Sequence, residues 1–122
     1  MKTAILLFAH GSRDPLWHAP LQAIQQRLQS LAPGVQVRLA YLELTLPDLP
    51  TCAAELIGQG TQRLRILPMF LGMGRHARED LPELIATLRA QHPDVVLEVL
   101  PALGENPSLI DLTCQIALNE LN

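Results

Sequence analysis

The stretch Ala4-Ile5-Leu6-Leu7-Phe8-Ala9-His10-Gly11-Ser12 decides the fold. Six apolar residues run without alternation into a histidine, a glycine and a serine, the pattern of a strand covered on both faces and ended by a tight turn. Such a strand belongs in the middle of a parallel sheet, so a crossover helix must follow it. Leu16, Ala19, Ala23, Ile24, Arg27, Leu28 and Leu31 supply that helix at the right spacing until Pro33-Gly34 stops it, with Pro20 expected to kink or delay the first turn. Val35, Val37, Leu39 and Tyr41 then alternate with Gln36, Arg38 and Ala40, which suits an edge strand with one exposed face.

The rhythm repeats down the chain. Thr45, three residues before Asp48, resembles a capping box, and Leu49, Cys52, Ala53, Leu56 and Ile57 form one helical face closed by Gly58 and Gly60. Leu64 to Leu71 reads as a second buried strand, followed by Gly72-Met73-Gly74 and a helix stripe of Leu81, Leu84, Ile85 and Leu88 with Pro82 in its first turns. Val95 to Leu100 is the fourth strand and Leu103-Gly104-Glu105 a loop, after which Asn106 caps and Pro107 opens the last helix. Four strands alternating with four helices mean an α/β fold with a parallel sheet, helices on both faces and right-handed crossovers. Placing the two most apolar strands, the first and third, side by side gives the order 2-1-3-4.

Composition narrows the function. The 122 residues are the size of one domain, taken here as residues 1–122, and 48% are hydrophobic, which excludes a disordered chain. Only 17% are charged against a usual share of about 25%, implying surface that is buried against a partner. Nine Lys and Arg against twelve Asp and Glu leave a net charge of -3, so no global positive field recruits nucleic acid or anionic lipid. Cys52 and Cys114 have neither zinc-site nor disulfide-scaffold spacing and read as reduced, buried thiols. The six-residue apolar run is too short for a signal-peptide core or for the roughly 20 residues that span a bilayer, so the expected location is the cytoplasm, with no membrane partner.

In the order 2-1-3-4 the switch point falls between the first and third strands, and ligands bind there beyond the strands' carboxyl ends. Two loops reach that place: His10-Gly11-Ser12-Arg13-Asp14 and Gly72-Met73-Gly74-Arg75-His76-Ala77-Arg78-Glu79-Asp80. Each histidine alone would read as a loop residue bonded to its own backbone, but together at the expected crevice His10 and His76 read as a functional pair. Imidazole suits borderline metals such as cobalt, nickel, iron and zinc and also titrates near neutrality. Two imidazoles are fewer than a resident zinc ion takes, which favours transient binding and transfer. Glu43, at the end of the second strand, is the natural third candidate, with a helix-entry or solvent-facing acid as its plain alternative. Arg13 and Arg75 suit the attraction of carboxylates or phosphates, whereas Arg78 is expected to pair with a neighbouring acid. Gly72-x-Gly74 lacks the remaining parts of a nucleotide-binding turn, and Ser12 has no nucleophile elbow around it. His18 and His92 read as surface or packing residues, and Met69, Phe70 and Met73 as core or as an apolar bed for a flat ligand.

The set Phe8-Ala9-His10-Gly11-Ser12-Arg13, Tyr41-Leu42-Glu43, Pro68-Met69-Phe70-Leu71, Gly74-Arg75-His76 and Asp80-Leu81-Pro82 resembles the class II chelatases, in their short sirohydrochlorin cobaltochelatase and ferrochelatase form. The resemblance covers essentially the whole chain. It implies a three-layer chelatase-like domain and ATP-independent insertion of cobalt, nickel or iron into sirohydrochlorin, with the divalent metal as substrate and no tightly bound cofactor. His10 and His76 then fall on the metal-binding, catalytic positions and Glu43 on an acidic one, while Ser12, Arg13, Met73, Gly74 and Arg75 are placed to meet the tetrapyrrole. Long members hold two such domains across a cleft, so a homodimer is the implied partner. A carrier or sensor that binds metal or tetrapyrrole without turnover is the alternative.

Overall fold

In the structure, a computed structural model that describes residues 1–121, strand β1 (Thr3–Ala9) lies between β2 (Gln36–Tyr41) and β3 (Arg63–Pro68). Strand β4 (Val96–Val99) pairs outside β3, and every pairing is parallel, giving the expected order 2-1-3-4. Helices α1 (Pro15–Leu31), α2 (Leu49–Gly58), α3 (Arg75–Gln91) and α4 (Pro107–Leu118) follow the successive strands, α4 after a short 3-10 turn at Leu103–Glu105.

The pleat sorts the side chains between two layers. Ala4, Leu6 and Phe8 of β1, with Leu64, Ile66 and Leu97, turn toward α2 and α3 and are buried with Leu49, Cys52, Leu56, Leu81, Ile85 and Leu88. Each leucine-sized chain buried here stabilises the fold by roughly 1.5–3 kcal/mol. The opposite face is covered by α1 only over β1 and β2, where Leu21 joins Ala9 and Tyr41. Beyond that cover Arg63, Arg65 and Leu67 of β3 stay half-exposed, so the third strand is buried on one face and not on two. It is also shorter than expected: the pairing ends at Pro68, and Met69 to Leu71 belong to the following loop.

Local details depart from the sequence pattern for identifiable reasons. Helix α1 begins at Pro15, capped by Asp14, whose carboxylate accepts from Leu16 N–H at 2.9 Å, and continues through Pro20. Helix α3 likewise begins at Arg75, well before Pro82. In both, the carbonyl a proline leaves unbonded belongs to an exposed residue, Leu16 or Arg78, where solvent can serve it. Asp48 alone caps α2, accepting from Thr51 N–H at 2.9 Å, while Thr45 is engaged elsewhere. Asn106 caps α4 as expected, accepting from Ser108 N–H at 2.8 Å. Cys52 is buried, but Cys114 on α4 is exposed, contrary to expectation, because α4 packs on no layer of its own chain.

Candidate functional site

Peptide groups tie the carboxyl ends of β1, β2 and β3 together. Leu42 N–H donates to Ala9 O at 2.8 Å, Glu43 N–H to His10 O at 2.9 Å and Met69 N–H to Phe8 O at 2.7 Å. These bonds carry the sheet register past the strands and bring His10, Glu43 and the approach to α3 to one opening. Gly11 permits the closest approach: its φ is +103°, and a Cβ there would stand 1.8 Å from the Glu43 carbonyl oxygen.

The loop after His10 is braced from two sides. Ser12 N–H donates to Thr45 Oγ1 at 3.1 Å, and Thr45 Oγ1 donates back to Ser12 O at 2.9 Å. His18 Nε2 lies 2.7 Å from the same Ser12 carbonyl, which can only accept, so Nε2 carries the proton. Trp17 and Tyr41 stand around the His18 ring, and burial pushes the Tyr41 phenol above its ordinary pKa. His18 is therefore the packing residue the sequence indicates, and its object is the His10 loop.

A cleft of about 330 Å³ opens between these loops, lined by His10, Leu42, Glu43, Gly74, Arg75, His76, Ala77 and Asp80. The two histidines thus meet at one opening, His10 from the end of β1 and His76 from the second residue of α3. The His10 ring rests on Phe70, with centroids 4.4 Å apart, and buried Phe70 in turn meets Phe8 edge-on at 5.8 Å. Gly74 caps α3 without a side-chain bond, leaving the first-turn N–H groups beside His76 free of any side-chain cap. Among the described residues no three His, Cys, Asp or Glu side chains are grouped so as to hold a metal ion. The imidazole pair is an open, incomplete ligand set, suited to handing an ion on and not to keeping it.

Not every sequence candidate reaches the cleft. Arg13 is exposed and outside its lining, Ser12 is also outside it with its hydroxyl accepting from Asp14 N–H at 3.0 Å, and Met73 lines a separate groove of about 380 Å³ between α3 and β4 with Arg78. Arg75 lines the cleft and pairs with Glu79 at 3.1 Å, whereas Arg78 makes no ion pair among the described residues, the reverse of the expected assignment. The i,i+4 spacing places Glu79 beside Arg75 on the helix surface. Sequence reasoning missed Asp80 as a lining residue, although it stands one helical turn after His76. It also missed Leu44, Leu46 and Leu71, exposed by 55%, 84% and 80% on loops at the same end of the sheet. Hydropathy alone assigns leucine to a core; only the fold shows these to be outside it.

A parallel 2-1-3-4 sheet with His10 and His76 at its switch point is the arrangement that the chelatase resemblance implies. The chain belongs to the CbiX family, whose pattern it matches over residues 4–119. It is 31% identical to the sirohydrochlorin cobaltochelatase of Methanococcoides burtonii over 84 residues, covering 69% of this chain and 64% of that protein. It is 26% identical to the sirohydrochlorin ferrochelatase of Bacillus subtilis over 117 residues, 90% of this chain but 42% of the relative. The chain thus spans less than two thirds of these relatives' length. A crystal structure of a CbiX protein from Marinobacter aquaeolei VT8, assigned to cobalamin (vitamin B12) biosynthesis, superimposes with a TM-score of 0.82. The two are 32% identical, and the match covers 98% of this chain and 97% of the other.

Proposed function

We propose that this protein inserts a divalent metal, cobalt, nickel or iron, into a sirohydrochlorin-type tetrapyrrole without ATP. The observation that carries the reading is the meeting of His10 and His76 at one cleft. Metallation exchanges one divalent ion for two pyrrole protons, and the ion must shed water to enter the ring. A neutral imidazole at His76 or His10 replaces part of that water, while the other accepts a proton, and Glu43 receives the second. The absence of a complete ligand cage keeps the ion's affinity for the protein below its affinity for the macrocycle.

The same geometry suits the larger substrate. Leu44, Leu46 and Leu71 offer apolar surface to a flat ring, and Gly74 keeps the backbone low beside it. Arg75 reaches the ring's carboxylates by exchanging its exposed Glu79 partner, which such pairs permit at little cost, and Arg13 acts from the rim. The working unit is one domain over residues 1–122, acting on diffusible substrates in the cytoplasm as a homodimer. No helix is long and apolar enough to cross a membrane among the described residues.

The test is an anaerobic absorbance assay of sirohydrochlorin with cobalt, nickel or iron. The native protein should accelerate metallation over the metal-alone rate, and His10→Ala or His76→Ala should remove about a hundredfold or more of that acceleration. Stoichiometric metal or tetrapyrrole binding without acceleration would replace the enzyme by a carrier.

A further inference from the structure

The groove between α3 and β4, about 380 Å³ in volume, shares no lining residue with the His10–His76 cleft. Its walls are apolar. Leu81 and Ile85 come from the buried stripe of α3, Val99 from β4, and Pro68 and Met73 from the carboxyl end of β3 and the loop after it. A concave apolar surface with a few convergent polar groups, of roughly 300–1,000 Å³, is the build of a small-molecule site.

The polar groups here are mostly donors. Arg78 is exposed and makes no ion pair among the described residues. A second donor follows from the sheet edge. Val96 N–H donates to Gln62 O and Leu100 N–H to Ile66 O, both at 2.9 Å, so strand alternation turns the peptide groups of Leu97 and Val99 away from β3. No strand lies beyond β4 to receive them. The Leu97 carbonyl is answered by the Arg89 guanidinium at 3.1 Å, whereas Val99 N–H has no protein acceptor among the described residues. Glu105 is the single acid in the lining, so two guanidinium groups against one carboxylate leave one positive charge unanswered.

We propose that the α3–β4 groove binds an apolar molecule carrying a single carboxylate. Arg78 and Val99 N–H receive the carboxylate, and the apolar body lies on Leu81, Ile85 and Met73. A guanidinium suits carboxylate and phosphate alike, but one net positive charge in an apolar groove matches a monoanion, and a phosphate monoester carries nearly two charges. The groove and the cleft flank the same first turns of α3: His76 and Asp80 line one, Arg78 and Leu81 the other. Occupants of the two therefore do not compete. The assignment stands on this groove alone and does not rest on the metal-insertion reading.

The probe is sodium octanoate, titrated below its micelle-forming concentration into the nitrogen-15-labelled protein and followed by amide NMR. Saturable shifts should centre on Arg78, Ile85 and Val99, with 1-octanol binding about tenfold more weakly. The absence of saturable shifts, shifts centred on α4 or on the His76 cleft, or equal binding of 1-octanol overturns the proposal. Arg78→Gln should weaken octanoate binding about tenfold, and Glu105→Gln should tighten it about threefold. Both positions are exposed and unpaired, and effects of opposite sign cannot come from a damaged fold. Unchanged affinity in Arg78→Gln, or two variants that move affinity the same way, overturns the assignment. A second copy of the chain in the groove would instead give shifts at Arg78 and Val99 that follow protein concentration with no octanoate present, and that result overturns it too.

Discussion

The carbonyl of Glu43 occupies the place a side chain on Gly11 would need, its oxygen 1.8 Å from where that Cβ would stand. The next main-chain hydrogen bond outward, Glu43 N–H to His10 O at 2.9 Å, holds the two loops at that separation. The site is thus assembled around a missing methyl group.

Gly11→Ala should accordingly damage both stability and activity. Its φ of +103° costs an L-residue about 1–3 kcal/mol before the clash with Glu43 is relieved. We expect a melting temperature lower by roughly 5 °C or more, and metallation reduced further than the lost folded fraction explains. Thermal melts followed by circular dichroism, with the absorbance assay run well below the melt, separate the two.

Phe70 should position His10 without touching substrate. Phe70→Leu keeps most of the buried volume and costs about 1 kcal/mol, but it removes the tilted ring whose centroid lies 4.4 Å from that of the imidazole. The expected result is a kcat lower by roughly tenfold with KM nearly unchanged, because misplacement of a catalytic group acts on the reacting step. Restoration of kcat in Phe70→Tyr would distinguish support by a ring from simple packing.

Asp48 should make α2 acid-sensitive. The Thr51 side chain and N–H hold its carboxyl below the ordinary carboxylate value, so its contribution is complete above the unfolded-state pKa and is lost as pH falls through the lower folded-state value. Asp48→Ala should cost about 1 kcal/mol at pH 7. The gap between native and variant should narrow from about pH 4 downward, as measured by urea unfolding across pH.

The cysteines should differ in reactivity. Burial pushes the Cys52 thiol up to about 11, leaving almost no thiolate at neutral pH, whereas Cys114 stands exposed on α4. One thiol per chain should react rapidly with a maleimide at pH 7.5 and the second only on unfolding, with mass spectrometry placing the first label at Cys114.

Much of the fold was legible because periodicity and turn residues are local. The unbroken run Ala4 to Ala9, the Gly-Ser exit and the Asn106-Pro107 helix start each name their element, and order 2-1-3-4 follows from which strands are most apolar. His10 after β1 and His76 at the start of α3 were legible because each follows a central strand. What escaped was non-local. Thr45 carries a capping pattern, but Ser12, 33 residues away, takes its hydroxyl. Arg65 in a central strand is tolerated because the face it occupies is open and Glu98 answers it at 2.9 Å. Pro20 and Pro82 sit inside helices because the carbonyls they release belong to exposed residues. Cys114 reads as buried by composition, and only the position of α4 brings it out.

The frame of the cleft is written in peptide groups. Glu43 to His10, Leu42 to Ala9, Met69 to Phe8 and Gly104 to Phe70 are all main-chain bonds, which any amino acid but proline can make as donor. The side chains facing the opening therefore carry little of the scaffold's energy, and they can change without moving it. On the proposed metal-insertion reading, a different ion preference should be reached by exchanging one or two residues at positions 10, 43, 76 and 80 on a fixed template. Laboratory evolution toward a new metal preference can proceed by saturating those four codons, with the glycines at 11 and 104 left untouched.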